Sequence, residues 1–130
     1  MKRQENVERF RRLAKEGQAD AQFHLGRIYY VGKVVPLDFE KVEKWFRKSA
    51  EQGHARAQYN LGFMYAYGEG VPKDHVKAYA WFDVCIANGY EDSNFVSELR
   101  DFIAKNMAPE KIDEGQKLSR EWFEKYQPKE

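Results

Sequence analysis

The chain has 130 residues, which suits one domain, and its 22 Lys and Arg residues against 21 Asp and Glu leave a formal net charge of +1. That balance excludes a bulk field that would draw nucleic acid or an anionic membrane. A single cysteine, Cys85, excludes a disulfide framework or a cysteine-built metal site, and no stretch is apolar enough to insert as a membrane helix.

The start, Met-Lys-Arg-Gln-Glu-Asn, is polar and does not read as a secretory signal. A cytoplasmic placement follows for the sequence as it stands, and a periplasmic one if a leader has been removed. A first helix is predicted over about 5–16. It is locally basic (Lys2, Arg3, Arg9, Arg11, Arg12, Lys15), as solvated helix faces commonly are.

From about 19 to 31, Ala21, Leu25, Ile28 and Tyr29 follow the i, i+4, i+7, i+8 spacing of an amphipathic helix. Gly32 offers a left-handed cap, and Val34-Val35-Pro36-Leu37 cannot continue the helix. Asp38 reads as the amino-terminal cap of a second helix running to about Gln52, with Val42, Trp45, Phe46, Ser49 and Ala50 on its buried side. The same grammar then recurs. A helix over about 55–67 stops at Gly68, a turn follows through Gly70, Val71 and Pro72, and Asp74 caps a helix through Asn88.

Laying 21–54 on 57–90, a shift of 36, pairs thirteen identical residues, among them Leu25/Leu61, Gly26/Gly62, Tyr29/Tyr65, Pro36/Pro72, Asp38/Asp74 and Trp45/Trp81. Chance would give about two. A period of this length means stacked supersecondary units. Gly26 and Gly62 each cost about 1 kcal/mol relative to alanine inside a helix, so close approach of the paired helix is expected there. Phe10, Ala14 and Gly17 lie 36 before Phe46, Ala50 and Gly53, which makes the first helix an orphan half-unit. Beyond residue 90 the register drifts. A shift of 38 sets Leu99 and Ile103 against Leu61 and Tyr65 and implies two extra residues near Tyr90–Ser93. A last helix begins at Pro109, a favoured first-turn position, and carries Ile112, Leu118, Trp122, Phe123 and Tyr126. The expectation is an all-α, right-handed α/α solenoid of about seven helices in one domain, 1–130. Its parts are a half-repeat (5–18), repeats (19–54 and 55–90) and divergent capping helices (91–130).

The string Ala-Gln-Tyr-Asn-Leu-Gly-Phe-Met-Tyr-Ala-Tyr-Gly-Glu-Gly-Val-Pro-Lys-Asp (57–74), with Lys77-Ala78 and Trp81-Phe82 after it, resembles the Sel-one-like repeat, a short α/α-solenoid relative of the tetratricopeptide repeat. The resemblance spans about 5–126; the first unit departs from it at Lys33-Val34, and Ala108 stands where a capping threonine is usual. It implies an adaptor that binds other proteins, most often bacterial. Cysteine-rich relatives have been linked to β-lactam binding. This chain has one cysteine and no Ser-x-x-Lys motif, so hydrolase activity is not carried over.

Helix geometry selects a partner-binding surface. With Leu25 at zero and about 100° per residue, Phe23, Arg27 and Tyr30 fall opposite the buried face. Tyr59, Phe63 and Ala66 match them in the second unit, with Tyr67 beside them, and Ser97, Asp101 and Ala104 in the third. In a superhelix of helix pairs that side lines the concave face. The candidate partner-binding set is Phe23, Arg27, Tyr30, Tyr59, Phe63, Tyr67 and Asp101, with a protein or peptide partner and a monomeric chain. Two alternatives stay open at this point: the aromatics pack on one another, or the last helix folds into the groove.

No catalytic residue, metal or cofactor is expected. His24, His54 and His75 fall at different repeat positions, and Gly68-Glu69-Gly70 follows a helix and lacks the lysine and hydroxyl of a phosphate loop. Cys85 shares a helix face with Trp81 and reads as an inert buried thiol. Besides the adaptor, a self-associating structural module and, remotely, a small-molecule binder or hydrolase remain.

Overall fold

The computed structural model describes residues 2–128, with side chains from residue 6 onward, so Lys2 and Arg3 of the basic cluster lie outside the described side chains. Seven helices and no strand occur among the described residues. They are α1 (Lys2–Lys15), α2 (Ala19–Val31), α3 (Phe39–Ala50), α4 (Ala55–Tyr67), α5 (His75–Ala87), α6 (Ser93–Ala104) and α7 (Pro109–Lys125). Each helix from α1 to α5 packs on the next, and α7 packs on α5, giving an all-α solenoid of helical repeats.

The two full units share their stops and starts. Gly32 and Gly68 end α2 and α4 at φ 70° and 68°, a left-handed conformation that glycine adopts without strain. The Asp38 carboxylate accepts the Glu40 and Lys41 N–H groups at 3.1 and 3.3 Å, and Asp74 accepts Lys77 N–H at 3.1 Å. At the start of α7, Ala108 makes no side-chain capping bond and Pro109 occupies the first turn.

Close approach at the helical glycines involves a ring rather than bare backbone. A Cβ on Gly26 would stand 2.6 Å from the Phe46 ring, and one on Gly62 would stand 2.5 Å from the Phe82 ring. Each phenylalanine comes from the paired helix, 20 residues on, and inserts where the side chain is missing.

One buried cluster joins Leu25, Tyr29, Val42, Trp45, Phe46, Leu61 and Trp81; a second joins Ala78, Tyr79, Phe82, Cys85, Val96 and Ile103. Helix α4 contributes to both. Burial of each large apolar side chain contributes about 1.5–3 kcal/mol. A polar clasp also repeats with the period. Gln22 donates to the Ala14 carbonyl at 3.1 Å and Gln58 to the Ala50 carbonyl at 2.9 Å. Gln52 and Asn88 then donate to the Gln22 and Gln58 side-chain oxygens at 2.8 and 3.2 Å.

Helix α7 does not enter the groove. It lies along α5, with the Trp122 ring 4.3 Å from that of Trp81 and Tyr126 stacked on Trp81 at 5.6 Å. The Tyr126 carbonyl accepts from both Gln58 and Asn88, and Pro128 reaches Gly53.

In α6 the buried residues are Val96 and Ile103, while Phe95, paired with Ala57 at shift 38, is 47% exposed. The third unit is thus rotated relative to that pairing, and α6 packs on α5 without a second neighbour of comparable contact.

Candidate functional site

A cleft of about 400 Å³ lies along α2 and α4. Phe46, Tyr59, Phe63 and Met64 give it an apolar floor. Arg27, Tyr30, Asn60 and Glu69 supply polar groups, and Val31 completes the α2 edge. None of α7 lines it.

Four of the seven sequence-predicted binding residues therefore meet here: Arg27, Tyr30, Tyr59 and Phe63. Tyr67 is exposed beside the cleft, its ring 4.7 Å from Phe63. The other two do not join them. Phe23 is only 2% exposed; it stacks on His54 at 4.7 Å, lies 5.8 Å from Phe46 and belongs to the core. Its helical angle points away from Leu25, but His54 from the α3–α4 turn covers it. Asp101 is on α6, outside the cleft lining, and pairs with its neighbour Arg100 at 3.1 Å. Of the accessory groove positions, Ala66 is buried.

Of the lining, Val31, Asn60, Met64 and Glu69 were missed, and Phe46 was expected only as a core residue. Asn60 and Met64 each lie next to a predicted position on α4, and the fixed 100° step sets them at its margin. Glu69 is drawn in by the Tyr30 hydroxyl, which donates to its carboxylate at 2.7 Å across 39 residues. That bond raises the Tyr30 pKa, with burial adding to it. Burial likewise pushes the Tyr59 phenol up, and the ring stacks on Tyr90 at 4.9 Å. Both hydroxyls are neutral at ordinary pH. Arg27 lies over the Phe23 ring at 5.8 Å, with Arg56 at 5.1 Å from the same ring.

The residues considered for chemistry have structural roles. His54 is the amino-terminal cap of α4: Nδ1 accepts Ala57 N–H at 3.2 Å and Nε2 meets Asp20 at 2.8 Å. His24 packs against Phe10 at 5.2 Å. Cys85 is fully buried, its thiol donates to the Phe82 carbonyl at 3.2 Å, and burial pushes its pKa to about 12. The cleft lining offers no Ser, Thr, Cys or His. Among the described residues no three His, Cys, Asp or Glu groups gather as a metal set, and no helix is long and apolar enough to cross a membrane.

The chain is similar to two solved structures. One is c5321, a protective antigen present in uropathogenic Escherichia coli strains and displaying an SLR fold. It is 41% identical with a TM-score of 0.85 over 92% of this chain and 25% of its own. The other is a Sel1 repeat protein from Oxalobacter formigenes, 34% identical with a TM-score of 0.58 over 69% of this chain and 26% of its own. The chain thus spans about a quarter of the length of either. No curated protein matches it. The Sel1 repeat matches residues 19–54 and 55–83, the two units whose glycines, caps and tryptophans recur 36 residues apart, and the chain belongs to the Sel1 repeat family.

Proposed function

We propose that the chain is an adaptor that binds a segment of a partner protein in the cleft between α2 and α4. The observation that carries this is the cleft itself: an apolar floor of Tyr59, Phe63 and Met64 edged by Arg27, Asn60 and Glu69, on a repeat fold whose family commonly mediates protein–protein interaction. Aromatic rings and arginine supply most binding energy at such surfaces, because the rings bury large areas and the planar guanidinium offers several donors at once. Sel1 repeat proteins are typically non-enzymatic scaffolds, which favours the adaptor over a hydrolase.

Because Phe23 is core, a binding test uses residues that solvent reaches. An Arg27→Glu/Asn60→Ala/Phe63→Ala variant should fold, show a melting temperature within a few degrees of the parent, and lose proteins that the parent retains from native lysate. Lys117→Glu, an exposed change on α7, should keep them. Equal retention by all three chains would refute the cleft.

A second reading, a self-associating module, is favoured by one observation. Phe95 and Phe102 are seven residues apart on α6 and 47% and 58% exposed. It requires mass that rises with concentration in light scattering and falls in a Phe102→Ser variant.

A further inference from the structure

Helix α2 separates two clefts and contributes side chains to both. The first is the cleft above. The second, about 230 Å³, lies on the α1 side, with Phe10, Ile28 and Val34 as its apolar walls and His24 and Lys33 at its edge. Arg27 and Val31 line both. The ridge between two apolar hollows is therefore an exposed guanidinium.

The side chains lining the two clefts carry two cations, Arg27 and Lys33, against one carboxylate, Glu69. Lys33 stands on the α1 side, and Arg27 pairs with no carboxylate among the described residues. Glu69 keeps its charge but is held by the Tyr30 hydroxyl at 2.7 Å, and Asp20, bonded to His54 at 2.8 Å, lies outside both linings. The chain as a whole is nearly neutral, so this is a local excess. A cation between two apolar hollows is the complement of an anion between two apolar anchors.

Spacing sets the anchors. Hollows on the two flanks of one helix lie about one helix diameter apart, roughly 10 Å. A polyproline II segment rises about 3.1 Å per residue with three residues per turn, so residues three apart share a face at about 9 Å. We propose that the α2 ridge recognises an extended acidic segment of a partner protein: two apolar side chains three positions apart enter the two clefts, and an Asp or Glu between them pairs with Arg27. This rests on the adaptor reading and names its partner's chemistry.

The probe is an array of octapeptides in a Ser-Gly background. Each carries two Leu or two Phe residues one to six positions apart, with Glu, Gln or Lys between them. The parent chain should be retained best at a separation of three, and at least tenfold better with Glu than with Lys. Arg27→Glu, on an exposed side chain, should invert the order to favour Lys. Phe63→Ala should weaken every peptide. Asn60→Tyr, a bulky neutral change in the same lining, replaces it if Phe63→Ala lowers the melting temperature. Retention lost with Phe63→Ala but indifferent to Glu, Gln or Lys, or unmoved by Arg27→Glu, would overturn acid recognition and leave the cleft. A Glu preference at a different separation would overturn the two-cleft geometry. No retention, or equal retention by every variant, would overturn both this inference and the adaptor reading.

Discussion

Gly62 sits inside α4, where alanine would ordinarily add about 1 kcal/mol of helix stability. Here a Cβ would stand 2.5 Å from the Phe82 ring, and that ring is fully buried with no room to retreat. Overpacking costs about 1–3 kcal/mol, so Gly62→Ala should be net destabilising by up to about 2 kcal/mol in urea unfolding. A gain in stability would show that Phe82 shifts freely. His54 makes a second residue-scale case. Its Nδ1 must be unprotonated to cap α4, and its pKa is lowered, first by burial; the Asp20 contact opposes this. His24 is lowered too, first by burial and then by Arg27. A lowered histidine pKa means the fold favours the neutral ring. The stabilisation is complete above the ordinary value of about 6.5 and is lost as pH falls through it toward the folded value. The melting temperature should therefore drop between about pH 7.5 and 5. His54→Asn, which keeps a capping oxygen without titrating, should flatten that drop. An unchanged slope would remove His54 from the account. The recurring glycine was readable from the sequence as a packing signal. The cap was not, because it depends on Asp20, 34 residues away, and on the Phe23 ring beneath the imidazole.

At the scale of elements, periodicity located the helices well because the information is local: apolar spacing, an aspartate before each second helix, a glycine after each first. What it could not locate is which helix a nonrepeating one lies against. Pro109 marked the start of α7, yet only the fold shows Trp122 and Tyr126 on Trp81. The α2–α4 cleft was half readable for the same reason. The far side of each first helix follows from a 100° step, but His54 covers Phe23, and α6 is turned so that Asp101 falls elsewhere. The junction of α5, α6 and α7 depends on one carboxylate. Asp83 accepts from Arg100 of α6 at 2.5 Å and from Ser119 of α7 at 2.9 Å. Those groups are half-buried or buried, so an unmatched donor costs about 1–3 kcal/mol. Asp83→Asn keeps the shape and removes the charge. It should lower stability by an amount in that range and speed amide exchange in α6 and α7, while α2 and α3 stay protected. Uniform acceleration along the chain would mean the junction is not local.

Across the whole molecule, a regular solenoid couples each unit only to its neighbour, which favours stepwise opening. Here the last helix adds a longer connection. Helix α7 runs back along α5, the Tyr126 carbonyl binds Gln58 of α4 and Asn88 beyond α5, and Pro128 touches Gly53 before α4. Trp122 and Tyr126 pack against the cluster built mainly from α2, α3 and α4, although they come from the far end of the chain. The carboxy-terminal segment thus joins the two buried clusters, which otherwise meet only through α4 and its partner α5. The full chain should unfold in one transition, with far-ultraviolet dichroism and tryptophan fluorescence giving the same midpoint. A chain ending at residue 120 loses the Trp122 and Tyr126 contacts, worth on the order of 3 kcal/mol or more together. It should lose cooperativity as well as stability: the urea midpoints from dichroism and from Trp45 and Trp81 fluorescence should separate, with α5 and α6 opening before α2 and α3. Coincident midpoints in the shortened chain would mean that α4 alone couples the two clusters and that the returning helix adds stability without adding coupling.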